Sequence, residues 1–127
     1  MANFSNDKIK TVWEKGQTVD GYDNTKYRKD ACGAWIAWAD YRKETIYGWE
    51  VDHCFPISKG GTDHTDNLQP LQWKNNRTKG DDFPSFKTSV IAEEKTNKEV
   101  EENKYFTENF VKFLKQLYPN NSYLRDI

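Results

Sequence analysis

The chain has 127 residues, of which 35% are hydrophobic and 31% charged, with a formal net charge of −1. This length predicts one small domain with a single core and a single functional centre. The near-neutral balance excludes a strongly basic nucleic-acid-binding protein, so any contact with nucleic acid must come from a local basic patch.

Two features of the sequence, its N-terminal residues and its cysteines, indicate the cellular compartment of the protein. The N-terminus lacks the apolar segment of a signal peptide, and no run of about 18 apolar residues occurs. Cys32 and Cys54 are the two cysteines, too few for a disulfide framework and without the paired spacing of a zinc knuckle. We therefore predict buried thiols in a cytoplasmic protein with no membrane partner.

A short amphipathic helix is predicted near the N-terminus. Ser5 or Asn6 can cap it, and Gly16 can end it. Its apolar residues recur at the spacing of one helical face, and they are Ile9, Val12 and Trp13. We expect this face to dock on the core, and a turn-rich charged loop to follow over residues 17–29.

The aromatic segment over residues 34–41 allows two interpretations. Trp35 and Trp38 have helical spacing, which favours a helix. The β-forming aromatic content, with Gly33 before the segment and Gly48 after it, favours one strand of a hairpin. We adopt the strand.

Residues 48–80 carry the signals of a strand, a loop, a second strand and a helix. A two-residue alternation over residues 48–55 predicts a strand that Pro56 ends. A loop with a glycine pair covers residues 57–66, and a second short strand is predicted over residues 67–71. A helix over residues 72–78 follows, with a glycine placed to end it.

The rest of the chain, over residues 85–119, is predicted to be mainly helical. Residues 91–104 are almost entirely polar, which suggests a solvated helix or a mobile segment. Apolar residues over 106–117 recur at i, i+4, i+7, i+8 and i+11, so this stretch predicts a helix packed on the body, ending before Pro119. Taken together, the elements predict an α+β domain.

The residues that carry chemistry lie in the middle of the chain. Hydrolysis of a phosphodiester needs a base for water, a cation for the developing negative charge, and groups that hold the substrate in line. His53 can be the base, while Asp52 and Asn76 offer the hard oxygen ligands that magnesium prefers, with manganese as the alternative. Neighbouring strand residues face opposite sides, so Asp52 and His53 should divide the roles of ligand and base.

A local basic patch accompanies these residues. Lys74, Arg77 and Lys79 follow one another on the predicted helix with no acid between them, and Lys59 lies in the glycine-containing loop. We expect these four cations to contact phosphates. Asn76 and Lys79 share one face of the helix, since they are three residues apart.

The ordered set Asp52-His53, Asn67, and Asn76 with Lys79 resembles the HNH endonuclease family, in its small stand-alone bacterial or phage form. In that family a ββα-metal finger carries an Asp-His pair at the end of its first strand. An Asn opens the second strand, and an Asn or His precedes a Lys by three residues on the helix. The resemblance covers about residues 47–82. It implies one nuclease domain over residues 1–127, with an N-terminal elaboration over 1–46 and a C-terminal helical segment over 85–119.

The resemblance implies a role for each residue. His53 is the general base, Asp52 and Asn76 hold one divalent ion, and Asn67 fixes the loop that presents His53. The implied substrate is double-stranded DNA, cut to leave 5′-phosphate and 3′-hydroxyl ends.

The chain lacks the cysteine pairs that hold zinc beside the finger in many members, so no structural zinc is expected. Aromatic packing by Trp35, Trp38 and Trp49 is expected to replace it. Two alternatives stay open. One is a catalytically silent nucleic-acid-binding or regulatory module with the same fold, and the other is a toxin nuclease delivered to other cells.

Overall fold

The computed structural model describes residues 3–127. Within that range, short helices and two-stranded antiparallel sheets alternate, which confirms the α+β class. The pairs are β1 with β2, β3 with β4, and β5 with β6. The elements are α1 (Asn6–Trp13), β1 (Tyr27–Lys29), β2 (Trp35–Ala37), β3 (Trp49–His53), β4 (Leu68–Gln72), α2 (Trp73–Lys79), β5 (Ser85–Glu93), β6 (Thr96–Tyr105), α3 (Glu108–Leu117) and α4 (Ser122–Arg125).

The N-terminal helix forms as predicted, and its cap is Ser5. The Ser5 side chain accepts a hydrogen bond from the backbone N–H of Lys8 at 3.2 Å, which satisfies one of the free donors of the first turn. The apolar face of α1 enters the main hydrophobic cluster against β2, β3 and β4. The buried members of that cluster are Val12, Trp13, Ile36, Trp49 and Leu68.

Strands β3 and β4 and helix α2 follow in the order predicted, with boundaries shifted by one or two residues. The register pairs His53 with Leu68 and Asp52 with Gln69. The Gln72 side chain caps α2 by accepting hydrogen bonds from the backbone N–H groups of its first turn. The helix therefore starts directly from the end of β4 and packs against β3.

The N-terminal half also differs from the prediction. Residues 27–29, predicted as loop, form β1, which pairs with β2 through Arg28 opposite Ile36. The aromatic segment is a strand only at residues 35–37, after which Trp38–Asp40 forms a short 3₁₀ turn. The strand propensity therefore predicted the first half of this segment correctly, and the helical spacing is consistent with the helical turn in the second half.

The prediction of a helix or mobile segment over residues 91–104 is wrong, and the predicted helical segment does not begin at residue 85. Residues 85–105 instead form the long hairpin of β5 and β6. Phe86, Thr88 and Val90 alternate with more exposed residues along β5, and this two-residue period buries one side of the strand. The opposite strand, β6, is largely exposed and therefore polar. Its polarity concealed the strand pattern.

The C-terminal helices enclose a second hydrophobic cluster. Helix α3 forms as predicted, while the single turn of α4 was not predicted. Leu114 of α3 and Leu124 of α4 pack with Phe55 and Phe83. Phe55 comes two residues after β3, so these helices lie beside the loop that leaves it. No helix within residues 3–127 is long and apolar enough to cross a membrane.

Candidate active site

Asp52 is a buried carboxylate on the side of β3 that faces α2. It is 5% exposed, and its Oδ1 lies 3.3 Å from Lys79 Nζ. Gln69, its partner in the strand register, donates a hydrogen bond to Oδ2 at 2.9 Å. Burial raises the pKa of Asp52 to about 6, although Lys79 and Gln69 oppose the shift by favouring the charged form.

Lys79 is the counterion of Asp52, and its predicted contact with phosphate is wrong. Its side chain is 0% exposed, and the ammonium donates to the backbone oxygen of His53 at 3.1 Å. The rings of Phe86 and Phe106 lie near it, with centroids 5.8 and 6.0 Å from Nζ. A cation enclosed in this way stabilises the end of β3 and does not reach a ligand on the surface.

Asn76 contacts Glu50, a residue that the sequence analysis missed. Its Nδ2 donates to Glu50 Oε1 at 2.9 Å, and Glu50 is 5% exposed. Because the amide nitrogen donates to this carboxylate, the Asn76 Oδ1 is the atom of the amide that could accept from another group or hold a cation. Glu50 lies two residues before Asp52 on the strand, and this spacing was the signal for a second acid on the same face.

His53 lies on the opposite face of β3 from Asp52. Its Nε2 is 2.7 Å from Asp63 Oδ1, and the two side chains are 19% and 54% exposed. The ring centroid of Phe4 is 6.2 Å from that of His53. Asp63 was not predicted as a site residue, because its contact with His53 depends on the path of the loop.

Asn67 is fully buried and ties the loop between β3 and β4 to the end of β3. Its Oδ1 accepts from the backbone N–H of Phe55 at 2.8 Å. Its Nδ2 donates to the backbone oxygens of Phe55 at 2.9 Å and Thr62 at 3.0 Å. All three contacts are made to backbone groups, so Asn67 fixes the course of the chain that follows His53.

Acids distant in sequence pair with two more cations of the predicted basic patch, Arg77 and Lys74. Arg77 is bonded to Glu44 and also lies 3.2 Å from Glu50. Lys74 Nζ is 3.8 Å from Glu99 on β6. Lys59 places its ammonium 5.2 Å from the centroid of the Tyr123 ring. Of the four cations, these three remain at or near the surface, although each already has a partner.

A hydrogen-bonded cluster around Asp30 supports α2 from behind. The buried Asp30 carboxylate accepts from the backbone N–H groups of Cys32, Ala34 and Gln72 at 2.8–2.9 Å, and from Asn75 Nδ2 at 3.1 Å. Asn75 Oδ1 in turn accepts from the Val90 N–H at 2.9 Å. Burial raises the pKa of Asp30, while the four donated bonds oppose that shift.

The predicted packing of Trp35, Trp38 and Trp49 with one another is found only in part. Trp38 and Trp49 do stack near one another, with ring centroids 6.1 Å apart, but Trp35 packs elsewhere, against Tyr22. It is Asp30 that joins the turn before β2 to the start of α2. Cys32 and Cys54 are free and buried as predicted, and burial raises the pKa of the Cys32 thiol to about 12.

The comparisons with known proteins agree with the geometry. Residues 32–82 match the family model described as HNH endonuclease. No curated protein and no solved structure matches the chain significantly. The matched range contains β3, β4 and α2 together with Asp52, His53, Asn67 and Asn76. The resemblance noted in the sequence is therefore confirmed, since residues 32–82 are similar to the HNH endonuclease family.

Proposed function

We propose that the protein is a metal-dependent endonuclease that hydrolyses DNA at a ββα-metal finger formed by β3, β4 and α2. One observation carries the proposal. A buried carboxylate and an imidazole follow each other at the end of β3, beside a helix whose Asn76 amide oxygen accepts no hydrogen bond within residues 3–127. A protein that only binds nucleic acid has no need of a base next to a carboxylate.

The residues fit one hard divalent ion. Asp52 and the Oδ1 of Asn76 are oxygen donors, and Mg²⁺ is commonly held by one or two protein oxygens, with water and phosphate completing its shell. No group of three or more His, Cys, Asp or Glu side chains is placed for a metal within residues 3–127. Most of the ligands of the proposed ion would therefore be water and phosphate oxygens. When bound, the ion supplies positive charge to the phosphoryl oxygens and the leaving oxygen.

The chain's own residues perform the remaining tasks. His53, on the other face of the strand, accepts the proton of the attacking water. Lys79 and Gln69 favour the ionised form of Asp52, which is the form that a cation requires. Asn67 holds the loop after His53 in place. The expected products carry a 5′-phosphate and a 3′-hydroxyl.

Contact with duplex DNA must come from cations that are already paired. Lys74 and Arg77 lie on α2 with side chains 43% and 49% exposed. Exposed ion pairs contribute only about 0–1 kcal/mol, so these cations can exchange their partners for phosphates at small cost. Each phosphate contact contributes a slope of about −0.9 to the dependence of log affinity on log salt, so we expect a shallow salt dependence.

A plasmid-nicking assay tests the proposed activity. Purified protein is incubated with supercoiled DNA in Mg²⁺, in Mn²⁺ and in EDTA, and nicked products are then offered to DNA ligase. We expect nicking with either metal, none in EDTA, and resealing without added kinase. His53→Ala and Asp52→Ala should each abolish detectable nicking.

The matched control is His64→Asn, because His64 is the other of the two histidines and lies exposed in the adjoining loop. This variant should nick at the wild-type rate. If the wild type binds DNA but cleaves it with neither metal, the protein is a binding module and the proposed activity is refuted. If His53→Ala retains full activity, the assignment of the base is wrong.

A further inference from the structure

The contact between His53 and Asp63 assigns a proton. The distance from Nε2 to Oδ1 is 2.7 Å, which is a hydrogen bond. An ionised carboxylate only accepts hydrogen bonds, so Nε2 carries the hydrogen. In the neutral ring Nδ1 is then the unprotonated nitrogen, and within residues 3–127 the structure gives it no hydrogen-bond partner. One acceptor thus fixes the tautomer that leaves a nitrogen free to take a proton.

The loop that carries Asp63 is held on both sides. Thr62, the preceding residue, donates its backbone N–H to the Tyr118 hydroxyl at 3.1 Å, and the two hydroxyl groups are 2.8 Å apart. The Thr62 backbone oxygen accepts from Asn67 at 3.0 Å. A Cβ on Gly61 would lie 1.9 Å from the backbone oxygen of Phe55. Only glycine therefore lets the loop pass this close to the chain that follows His53.

Tyr118 ends α3, outside the range matched by the family model. A second contact from the same region reaches the loop, since Asn121 Nδ2 donates to the backbone oxygen of Lys59 at 2.8 Å. The C-terminal helices are therefore joined to the loop at two points. These contacts hold the loop beside the end of β3.

We propose that Asp63 is a positioning residue that orients His53 and fixes its tautomer, and that Tyr118 holds the loop from which Asp63 acts. This inference rests on the proposed function, because it takes His53 to be the base. It follows a general pattern in which a histidine uses one ring nitrogen for chemistry while the other nitrogen donates to an oriented acceptor.

Because the Asp63 side chain is exposed, its role in orienting His53 can be distinguished from a contribution to the stability of the fold. The side chain is 54% exposed, and exposed ion pairs contribute little to stability. Removing the carboxylate should therefore leave the melting temperature close to that of the wild type while it lowers the rate. Partners that orient a metal-ligating histidine typically contribute about 10- to 100-fold, and we expect a loss of the same order for a histidine that acts as a base.

The experiment compares Asp63→Ala and Asp63→Asn with a control, Asp66→Ala. Asp66 lies in the same loop and is similarly exposed at 56%, but its near neighbour is His64. We expect Asp63→Ala to lower kcat for plasmid nicking by about 10- to 100-fold, with KM unchanged. Asp63→Asn should be more active than Asp63→Ala, because its amide oxygen can still accept. Asp66→Ala should match the wild type, and Tyr118→Phe should show a smaller loss than Asp63→Ala.

A spectroscopic readout needs no catalysis. Nitrogen-15 NMR of the histidine rings should show the Nε2–H tautomer for His53 in the wild type and a mixture in Asp63→Ala. If the wild type does not cleave DNA, the proposed function fails, but this spectrum still reports on the pair. The inference is overturned if His53 carries its proton on Nδ1, or if Asp63→Ala is as fast as the wild type or faster. A wild-type rate for Tyr118→Phe would overturn the role of Tyr118.

Discussion

Replacing Asp30 with alanine tests whether a hydrogen-bonded carboxylate holds the base of α2. Asp30 is fully buried and accepts four hydrogen bonds, three of them from backbone N–H groups. The fourth donor, Asn75 Nδ2, also donates to the Val90 backbone oxygen at 3.0 Å. The substitution therefore leaves three backbone donors without their partner.

The expected loss of stability follows from these three donors. A buried polar group left without its partner costs about 1–3 kcal/mol, and such costs add incompletely when the groups share one site. We expect the free energy of unfolding to fall by about 3–5 kcal/mol. With an unfolding entropy of about 2.1 cal/mol/K per residue, a chain of 127 residues should melt about 10–20 °C lower.

The assay is chemical denaturation followed by tryptophan fluorescence, with calorimetry for the melting temperature. Asp20→Ala is the control, because Asp20 is an exposed aspartate in the same half of the chain, and we expect a change within about 0.5 kcal/mol. Asp30→Asn keeps the shape of the side chain but places N–H groups against donors, so it should also destabilise. A loss below about 1 kcal/mol for Asp30→Ala would show that the cluster does not hold the helix.

Three further predictions concern the candidate site. Lys79→Met leaves the buried Asp52 carboxylate without its cation and should lower the free energy of unfolding by about 3–5 kcal/mol. In thermal melts, Mn²⁺ should then raise the melting temperature of the variant more than that of the wild type. An equal rise in both melting temperatures would contradict this prediction. Asn67→Ala removes the three hydrogen bonds of a buried amide, and urea denaturation should show a loss of about 2–4 kcal/mol. An unchanged free energy of unfolding would mean that the loop keeps its course without Asn67. Because burial raises the pKa of Asp52 to about 6, a divalent ion competes with a proton below that pH. Calorimetric titration should show Mn²⁺ affinity falling about tenfold per pH unit below about pH 6 and levelling off above it, and a flat profile would refute the assignment of Asp52 as a ligand.

The parts of the site that the sequence predicted are those set by local spacing. Asp52 and His53 are neighbours on a strand, so their opposite faces follow from the backbone alone. The order of β3, β4 and α2 follows from proline, glycine and periodicity, and the structure moves each boundary by only one or two residues. As a consequence, Asn67 lies directly before β4 and Asn76 lies on α2.

The parts that the sequence did not predict are set by contacts between distant segments. From the sequence, Lys79 was predicted to be a surface cation on a helix. Only the packing of α2 on β3 shows that it is buried against Asp52. Arg77 reads as a phosphate contact until Glu44 is brought beside it. The hairpin over residues 85–105 was hidden for a related reason. The polar residues of β6 suit a solvated helix as well as an exposed strand, and the packing of β5 on α2 decides between them.

The two faces of β3 carry different parts of the proposed site, with the metal ligand Asp52 on one face and the base His53 on the other. On the α2 side, the acids Glu50 and Asp52 are balanced by Arg77 and Lys79. The proposed divalent ion would therefore enter a region of low net charge and would compete with Lys79 for the Asp52 carboxylate. On the other side, His53 is paired with Asp63. Changes on one face should therefore alter metal affinity, and changes on the other should alter the rate at saturating metal. The Lys79 and Asp63 variants allow the two effects to be measured separately.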